Sequence, residues 1–175
     1  MLSDKIQAAF NAQVGHEFAN SIQYIAIANY FEAESLKGLA KLYTKQAEEE
    51  HEHAMKFVEF LLDTGSKVVI PAIPAPQNDF ASAEAAAQLA LDAEIRTTSQ
   101  INDLLTTALA EKNYAAQNFL QWFVNEQMEE EAAARKRREE LDRRRKEEER
   151  LAKEEAEAEA ARDAARRAKL RAEEE

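Results

Sequence analysis

The sequence predicts an all-α protein: a four-helix bundle with one long crossover connection, whose fourth helix runs on as a solvated, charged helix. Three observations carry that expectation. Only 3 Gly and 3 Pro occur among 175 residues, too few for a turn-rich sandwich or barrel. Apolar residues recur with the helical period through residues 1–131. Beyond Glu131 the chain changes character: residues 132–175 hold 11 Arg, 4 Lys, 12 Glu and 2 Asp, with only Ala and Leu besides. The chain therefore divides into a body, residues 1–131, that can bury a core and an extension, residues 132–175, that cannot.

In the first helix, about Ser3 to Ser35, Ile6, Phe10, Glu17, Tyr24 and Phe31 share one stripe, with Ser3 as N-cap. The second runs from about Gly38 to Thr64, and Gly65 stands where a left-handed residue closes a helix. Its inner face reads Leu39, Leu42, Gln46, Glu50, His53, Phe57 and Phe60. A third helix, about Ser82 to Lys112, presents Ala87, Leu91, Glu94, Thr98, Ile101, Leu105 and Ala108. After a break at Asn113, the fourth presents Phe119, Phe123, Gln127 and Glu130. Two connections are short and join antiparallel neighbours. The third, Ser66 to Ala81, contains Pro71, Pro74 and Pro76. Extended, it reaches roughly 45 Å, against roughly 40 Å for the second helix, so it can run the length of the bundle and make helices two and three parallel. Val68, Val69, Ile70 and Ile73 mark it as a packed strap.

Charge and composition exclude several classes. The formal net charge is −11; the extension balances 15 basic against 14 acidic groups, which leaves the body at −12. There is no Cys, so disulfide scaffolds, thiolate zinc sites and iron–sulfur clusters are excluded. Met-Leu-Ser-Asp-Lys lacks the basic and apolar regions of a signal peptide, and no apolar run approaches the ~20 residues that span a bilayer. A soluble cytoplasmic protein, without membrane partners, is expected.

Each of the four stripes is interrupted by a polar or ionisable side chain: Glu17, then Glu50 and His53, then Glu94, then Gln127 and Glu130. A single glutamate on such a face is ordinarily a surface residue whose head reaches water, and a single histidine ordinarily a satisfied interior one. Four coincident intrusions are another matter, because a buried carboxylate without a partner costs several kcal/mol. A shared cation turns repelling carboxylates into ligands. Glu50-x-x-His53 sets an oxygen and a nitrogen donor on one helical face. The pattern approaches the di-iron carboxylate bundles, and a mixed oxygen and nitrogen set suits iron better than structural zinc or magnesium. His16 and His51 fall off the stripes. Tyr24, one heptad after Glu17, is either plain core or a hydroxyl beside the ligands.

Residues 1–131 closely resemble the non-haem bacterial ferritins. The carrying segments are His16-Glu17-Phe18, Gln46-Ala47-Glu48-Glu49-Glu50-His51-Glu52-His53, Glu94, and the run Phe119-Leu120-Gln121-Trp122-Phe123-Val124-Asn125-Glu126-Gln127-Met128-Glu129-Glu130-Glu131. The resemblance implies a ferritin-like fold and an iron-storage ferroxidase that oxidises Fe2+ to Fe3+ with O2 or H2O2 and stores the mineral. It implies two irons per subunit: Glu17, Glu50 and His53 on the first, with Glu50 bridging to a second held by Glu94 and, more loosely, Glu130, and Gln127 in the outer region. A third iron site would use Glu49, Glu126, Glu129 and Glu130. Tyr24 matches a tyrosine that donates an electron or hydrogen bond near the centre, so Tyr24 and Glu50 are the expected catalytic pair. Haem is not expected, since the fourth helix carries Gln127-x-x-Glu130 in place of a second Glu-x-x-His, and His51 stands where haem-binding relatives place their methionine ligand. The acidic body would attract Fe2+.

The extension departs from that family. Ala134, Arg137, Arg138 and Leu141 stand where buried residues are expected, and Arg137 and Arg138 are expected to leave the end of the bundle poorly filled. Leu141, Leu151 and Leu170 form no heptad seam. Opposite charges recur four apart, as in Glu140–Arg144, Arg145–Glu149 and Asp163–Arg167, each pair contributing ~0.2–0.5 kcal/mol to a lone helix. With no Gly or Pro after Asn113, the fourth helix is expected to continue unbroken for on the order of 90 Å. A homo-oligomer is expected, but with no turn and fifth helix the family's closed 24-subunit cage is not. The alternative reading is an engineered scaffold that presents a rigid helical arm for assembly, with little or no iron storage. Nucleic acid is not an expected partner, since Arg143-Arg144-Arg145 and its neighbours are interleaved with Glu and no aromatic accompanies them.

Overall fold

The computed structural model describes residues 2–174, with side chains as far as Lys169. Four helices make up the chain: α1 (Asp4–Ala33), α2 (Lys37–Asp63), α3 (Ala83–Ala110) and α4 (Tyr114–Glu174). Each boundary lies within about two residues of expectation, because the capping chemistry is local. Ser3 Oγ accepts from Ile6 N at 3.2 Å, Ser82 Oγ from Ala85 N at 3.1 Å, and Asn113 Oδ1 from Ala116 N at 3.0 Å. α1, α2 and α3 all close with the same pair of reversed bonds, for example Gly65 N to Leu62 O at 2.9 Å and Ser66 N to Leu61 O at 2.8 Å. Glycine takes the left-handed position only after α2; Ser35 (φ 61°) and Lys112 (φ 55°) take it after α1 and α3.

The strap between α2 and α3 is held by α1. Gln7 Oε1 accepts from Lys67 N at 3.1 Å, Asn11 Oδ1 from Val69 N at 2.6 Å, and Gln23 Oε1 from Gln77 N at 2.8 Å. Ascending strap residues meet ascending α1 residues, so the strap travels with α1 and against α2. It ends where Phe80 packs on Tyr30, ring centroids 5.2 Å apart. α3 thus starts at the end where α2 started, and the two run parallel.

Two apolar clusters fill the bundle, one on either side of a polar middle. Ile6, Phe10, Phe57, Leu61, Leu120 and Phe123 anchor the first; Tyr24, Ile27, Phe31, Tyr43 and Ala90 anchor the second. The α2 stripe differs from expectation by one position: Leu39, Leu42 and Phe60 are half-buried, while Tyr43 and Leu61 are fully buried. A helix packed against neighbours on two sides buries a face wider than 100°, and a one-per-turn reading follows only one margin of it.

α4 stays with the bundle past Glu131. Ala134 is buried, and Arg145 Nε pairs with Glu84 Oε1 in the first turn of α3 at 3.2 Å. Arg137 is half-buried, but it gains a partner, donating to Gln46 Oε1 at 2.8 Å. Arg138 is half-buried as well, and its Nε is buried without a hydrogen-bond partner. From Arg143 to Lys169 the helix is exposed. There it carries an ion-pair ladder that includes Arg144–Glu140 at 2.8 Å and Arg145–Glu149 at 2.6 Å. Leu170, the third leucine of the extension, lies outside the described side chains. Among the described residues no helix is long and apolar enough to cross a membrane.

Candidate metal centre

The polar middle of the bundle is closed to bulk solvent. Glu17, Glu50, His53, Glu94, Gln127 and Glu130 are all buried, from 0 % exposed for Glu17 to 8 % for Glu130. α1 supplies Glu17 and Tyr24, α2 supplies Glu50 and His53 from successive turns, α3 supplies Glu94, and α4 supplies Gln127 and Glu130.

Glu17, Glu50 and His53 converge. One donor atom from each lies within 4.8 Å of the others. Glu50 Oε1 is 3.8 Å from His53 Nδ1. Three of the buried atoms here, Glu17 Oε2, Glu50 Oε1 and His53 Nδ1, receive no hydrogen bond from any other group of the protein, and the Glu17 and Glu50 carboxyls pair only with each other. Unpaired buried polar atoms are costly, and three facing one another ask for a shared cation.

The other oxygens are occupied. Gln13 Nε2 donates to Glu17 Oε1 at 2.7 Å, and Asn20 Nδ2 donates to Glu50 Oε2 at 3.4 Å and to Thr97 Oγ1 at 3.0 Å. These bonds turn one oxygen of each carboxylate away and leave the second aimed inward. Glu94 is bound on both sides, accepting from the Tyr24 hydroxyl at Oε1 and from Gln127 Nε2 at Oε2, 3.1 Å. Glu130 Oε2 accepts from Gln46 Nε2 at 3.2 Å. The carboxylates of Glu94 and Glu130 thus line the same space but are engaged by protein donors, whereas Gln127 is itself a donor and its Oε1 is buried without a partner. Of the remaining acidic residues on these faces, Glu49 accepts from Lys45 Nζ at 2.7 Å and from Gln46 Nε2 at 2.5 Å. Glu126 is half-buried and Glu129 is exposed. Among the described residues only Glu17, Glu50 and His53 form a cluster that could hold an ion. His16 and His51 are exposed, as their positions off the stripes predict.

Electrostatics follow burial. Desolvation pushes the Glu17, Glu50 and Glu94 carboxyls above the ordinary carboxylate range, and for Glu50 the neighbouring Glu17 and Glu94 charges push further. Burial raises Glu130 to about 7. His53 is pushed the other way, to about 4, by burial and by Lys56, so its ring is neutral at physiological pH. Trp122 and Phe123 wall the ring, with centroids 5.5 and 5.7 Å away. Burial raises the Tyr24 phenol well above its usual value, which keeps it a donor.

Gln13, Asn20 and Thr97 were not singled out in the sequence. Gln13 and Asn20 lie four residues before and three after Glu17, so the signal was their position on its face. Short polar side chains beside an acidic stripe read as surface until a packed neighbour is known.

A buried pair of carboxylates and a neutral imidazole, turned inward across a four-helix bundle, make up a donor set that could hold a metal ion. The ferritin-like domain family matches residues 7–144, and the chain belongs to that family. It is 41 % identical over 125 residues to ferritin BfrB of Mycobacterium tuberculosis, covering 71 % of this chain and 69 % of that one. It is 35 % identical over 129 residues to a bacterial non-heme ferritin of Staphylococcus aureus, covering 74 % and 78 %. Among solved structures, the open-pore ferritin of the archaeon Archaeoglobus fulgidus superposes with a TM-score of 0.80 at 36 % identity, over 81 % of this chain and 88 % of that one.

Proposed function

We propose that the chain is an iron-storage ferroxidase, taking Fe2+ as substrate and oxidising it to Fe3+ with O2 or peroxide at a centre inside each subunit, then storing the product within a homo-oligomer. The observation that carries this reading is the convergence of Glu17, Glu50 and His53, whose buried donor atoms lie within 4.8 Å of one another with no other protein group to satisfy them. Residues 1–131 form the ferroxidase body, and residues 132–175 an extension whose outer part is a helical arm.

Glu17, Glu50 and His53 hold the first Fe2+; Glu50 reaches toward a second, for which Glu94 and Glu130 are the anionic ligands and Gln127 a neutral neighbour. Two ferrous ions side by side can give one electron each to a single bound oxidant. Carboxylate oxygens stabilise Fe3+ more than Fe2+ and so favour oxidation. Gln13 and Asn20 aim the first-site carboxylates, while Tyr24 sits against Glu94 as a hydrogen-bond donor. Carboxyls that burial keeps protonated lose their protons as the cation enters, so the incoming charge is matched without leaving a net charge in the core. Glu49, Glu126 and Glu129, together with Glu130, offer a further acidic patch where α2 and α4 meet, a candidate third site.

Glu50 belongs to both sites, so Glu50→Ala should abolish the fast phase of Fe2+ oxidation in a stopped-flow assay under air. A variant that kept the parent's initial rate would refute the assignment.

A further inference from the structure

Arg137 lies in the extension, yet it is connected to the metal centre. Its guanidinium donates to Gln46 Oε1 at 2.8 Å. An arginine has no acceptor, so it decides which way the Gln46 amide lies: oxygen toward Arg137, nitrogen toward the carboxylates. In that orientation Gln46 Nε2 donates to Glu130 Oε2 at 3.2 Å and to Glu49 Oε2 at 2.5 Å. Gln46 is buried, so neither end of its amide is shared with bulk water. Glu130 is thereby drawn to Gln46, and a fixed positive charge stands behind the amide that holds it. The neighbouring anionic ligand, Glu94, is taken up by Tyr24 and Gln127. The inward oxygens of Glu17 and Glu50 have no amide or cation holding them and face only each other and His53.

From this geometry we infer that Arg137 is a positioning residue that makes the two metal sites unequal: acting through Gln46, it withholds Glu130 and weakens the second site while leaving the first intact. The inference rests on the ferroxidase reading. It adds that the extension sets how readily the second ion binds, so residue 137 tunes the ratio of the two affinities.

The test is a titration of the full-length, metal-free protein with Co2+, followed by calorimetry and by visible absorption. The parent should bind one equivalent tightly and a second at least tenfold more weakly, the scale expected for one charge-assisted hydrogen bond. Arg137→Gln, and independently Arg137→Met in case the first variant folds poorly, should tighten the second equivalent about tenfold and leave the first unchanged. Arg137→Lys, which keeps a cationic donor, should behave as the parent. A merely structural arginine would lower stability or weaken both equivalents together. Two equally tight equivalents in the parent, or an unchanged ratio in both folded variants, would overturn the inference while leaving the ferroxidase reading in place. A parent that binds no Co2+ tightly would overturn both.

Discussion

Pro71 Cγ lies 2.2 Å from the point that a Cβ on Gly15 would occupy. The strap can therefore seat on α1 only because this turn of the helix has no side chain. Glycine inside a helix is ordinarily a cost of ~0.5–1 kcal/mol relative to alanine. Here the closest atom belongs to a proline ring, which cannot swing aside as a flexible side chain would. The strap is what permits α2 and α3 to run parallel, and that topology brings Glu94 to face Glu50. A backbone detail in α1 thus supports the geometry of the metal centre.

Gly15→Ala should destabilise the protein by ~1–3 kcal/mol despite alanine's better helix propensity, because the strap must lift to admit the methyl group. Gly38→Ala is the control. Nothing lies within 4 Å of that added Cβ, and the backbone is already helical. It should gain up to about 1 kcal/mol. Denaturant unfolding of the two variants side by side measures both effects; equal shifts in the same direction would contradict the strap account.

Lys112 holds a left-handed conformation at φ 55°, closing α3 one residue before Asn113 caps α4. A side chain in that conformation costs about 1 kcal/mol, which glycine avoids. Lys112→Gly should raise the melting temperature by roughly 2–4 °C, and Ser35→Gly, in the same position after α1, should do likewise. The two gains should add, since the residues terminate different helices.

How far the sequence carries depends on whether a feature is written locally. Helix ends were legible to within about two residues because Ser3, Ser82, Asn113 and Gly65 each cap with their own atoms. The six inward polar residues were legible because each interrupts an apolar stripe. Tyr43 and Leu61 were not, since the width of a buried face is set by neighbouring helices. Gln13 and Asn20 were not, because an amide that positions a carboxylate looks like any other polar residue until α3 is packed against it. Gly15 was not, because its reason for being glycine lies 56 residues away at Pro71. Arg137 was legible as a misfit at a buried position, but its partner Gln46 was not, since the pairing depends on how α4 packs against α2.

Burial sets a pH dependence whose sign can be worked out. A carboxyl whose folded value is raised contributes stability that is fully present below its unfolded value and is lost as pH rises through the folded value. Glu130, raised from 4.5 to about 7, behaves this way, as do Glu17, Glu50 and Glu94 in direction. His53, lowered from 6.5 to about 4, works in the opposite sense, losing stability as pH falls. His16 is lowered as His53 is, and Glu126 is raised as the other four carboxyls are, so five carboxyls outweigh two imidazoles. The metal-free protein should therefore melt at a higher temperature at pH 5.5 than at pH 7.5, and saturating Co2+ at pH 7.5 should close the gap. Calorimetry in two buffers of different ionisation enthalpy should show protons released on Co2+ binding near neutral pH, since the carboxyls surrender protons and neutral His53 has none to give.

Trp122 is the chain's single tryptophan, its ring edge-on to His53 with centroids 5.5 Å apart and Lys56 Nζ 4.9 Å from its face. Its emission should report occupancy of the first site without competing signals. Titration of the metal-free protein with Co2+ should quench it in step with the first equivalent, because an open-shell ion held by His53 would be separated from the indole by little more than the imidazole ring. His53→Ala should abolish that quenching, whereas Glu130→Ala, which removes no ligand of the first site, should leave the first-equivalent quench in place. Quenching that survived the loss of His53 would mean that the ion binds elsewhere, on the acidic surface rather than between the helices.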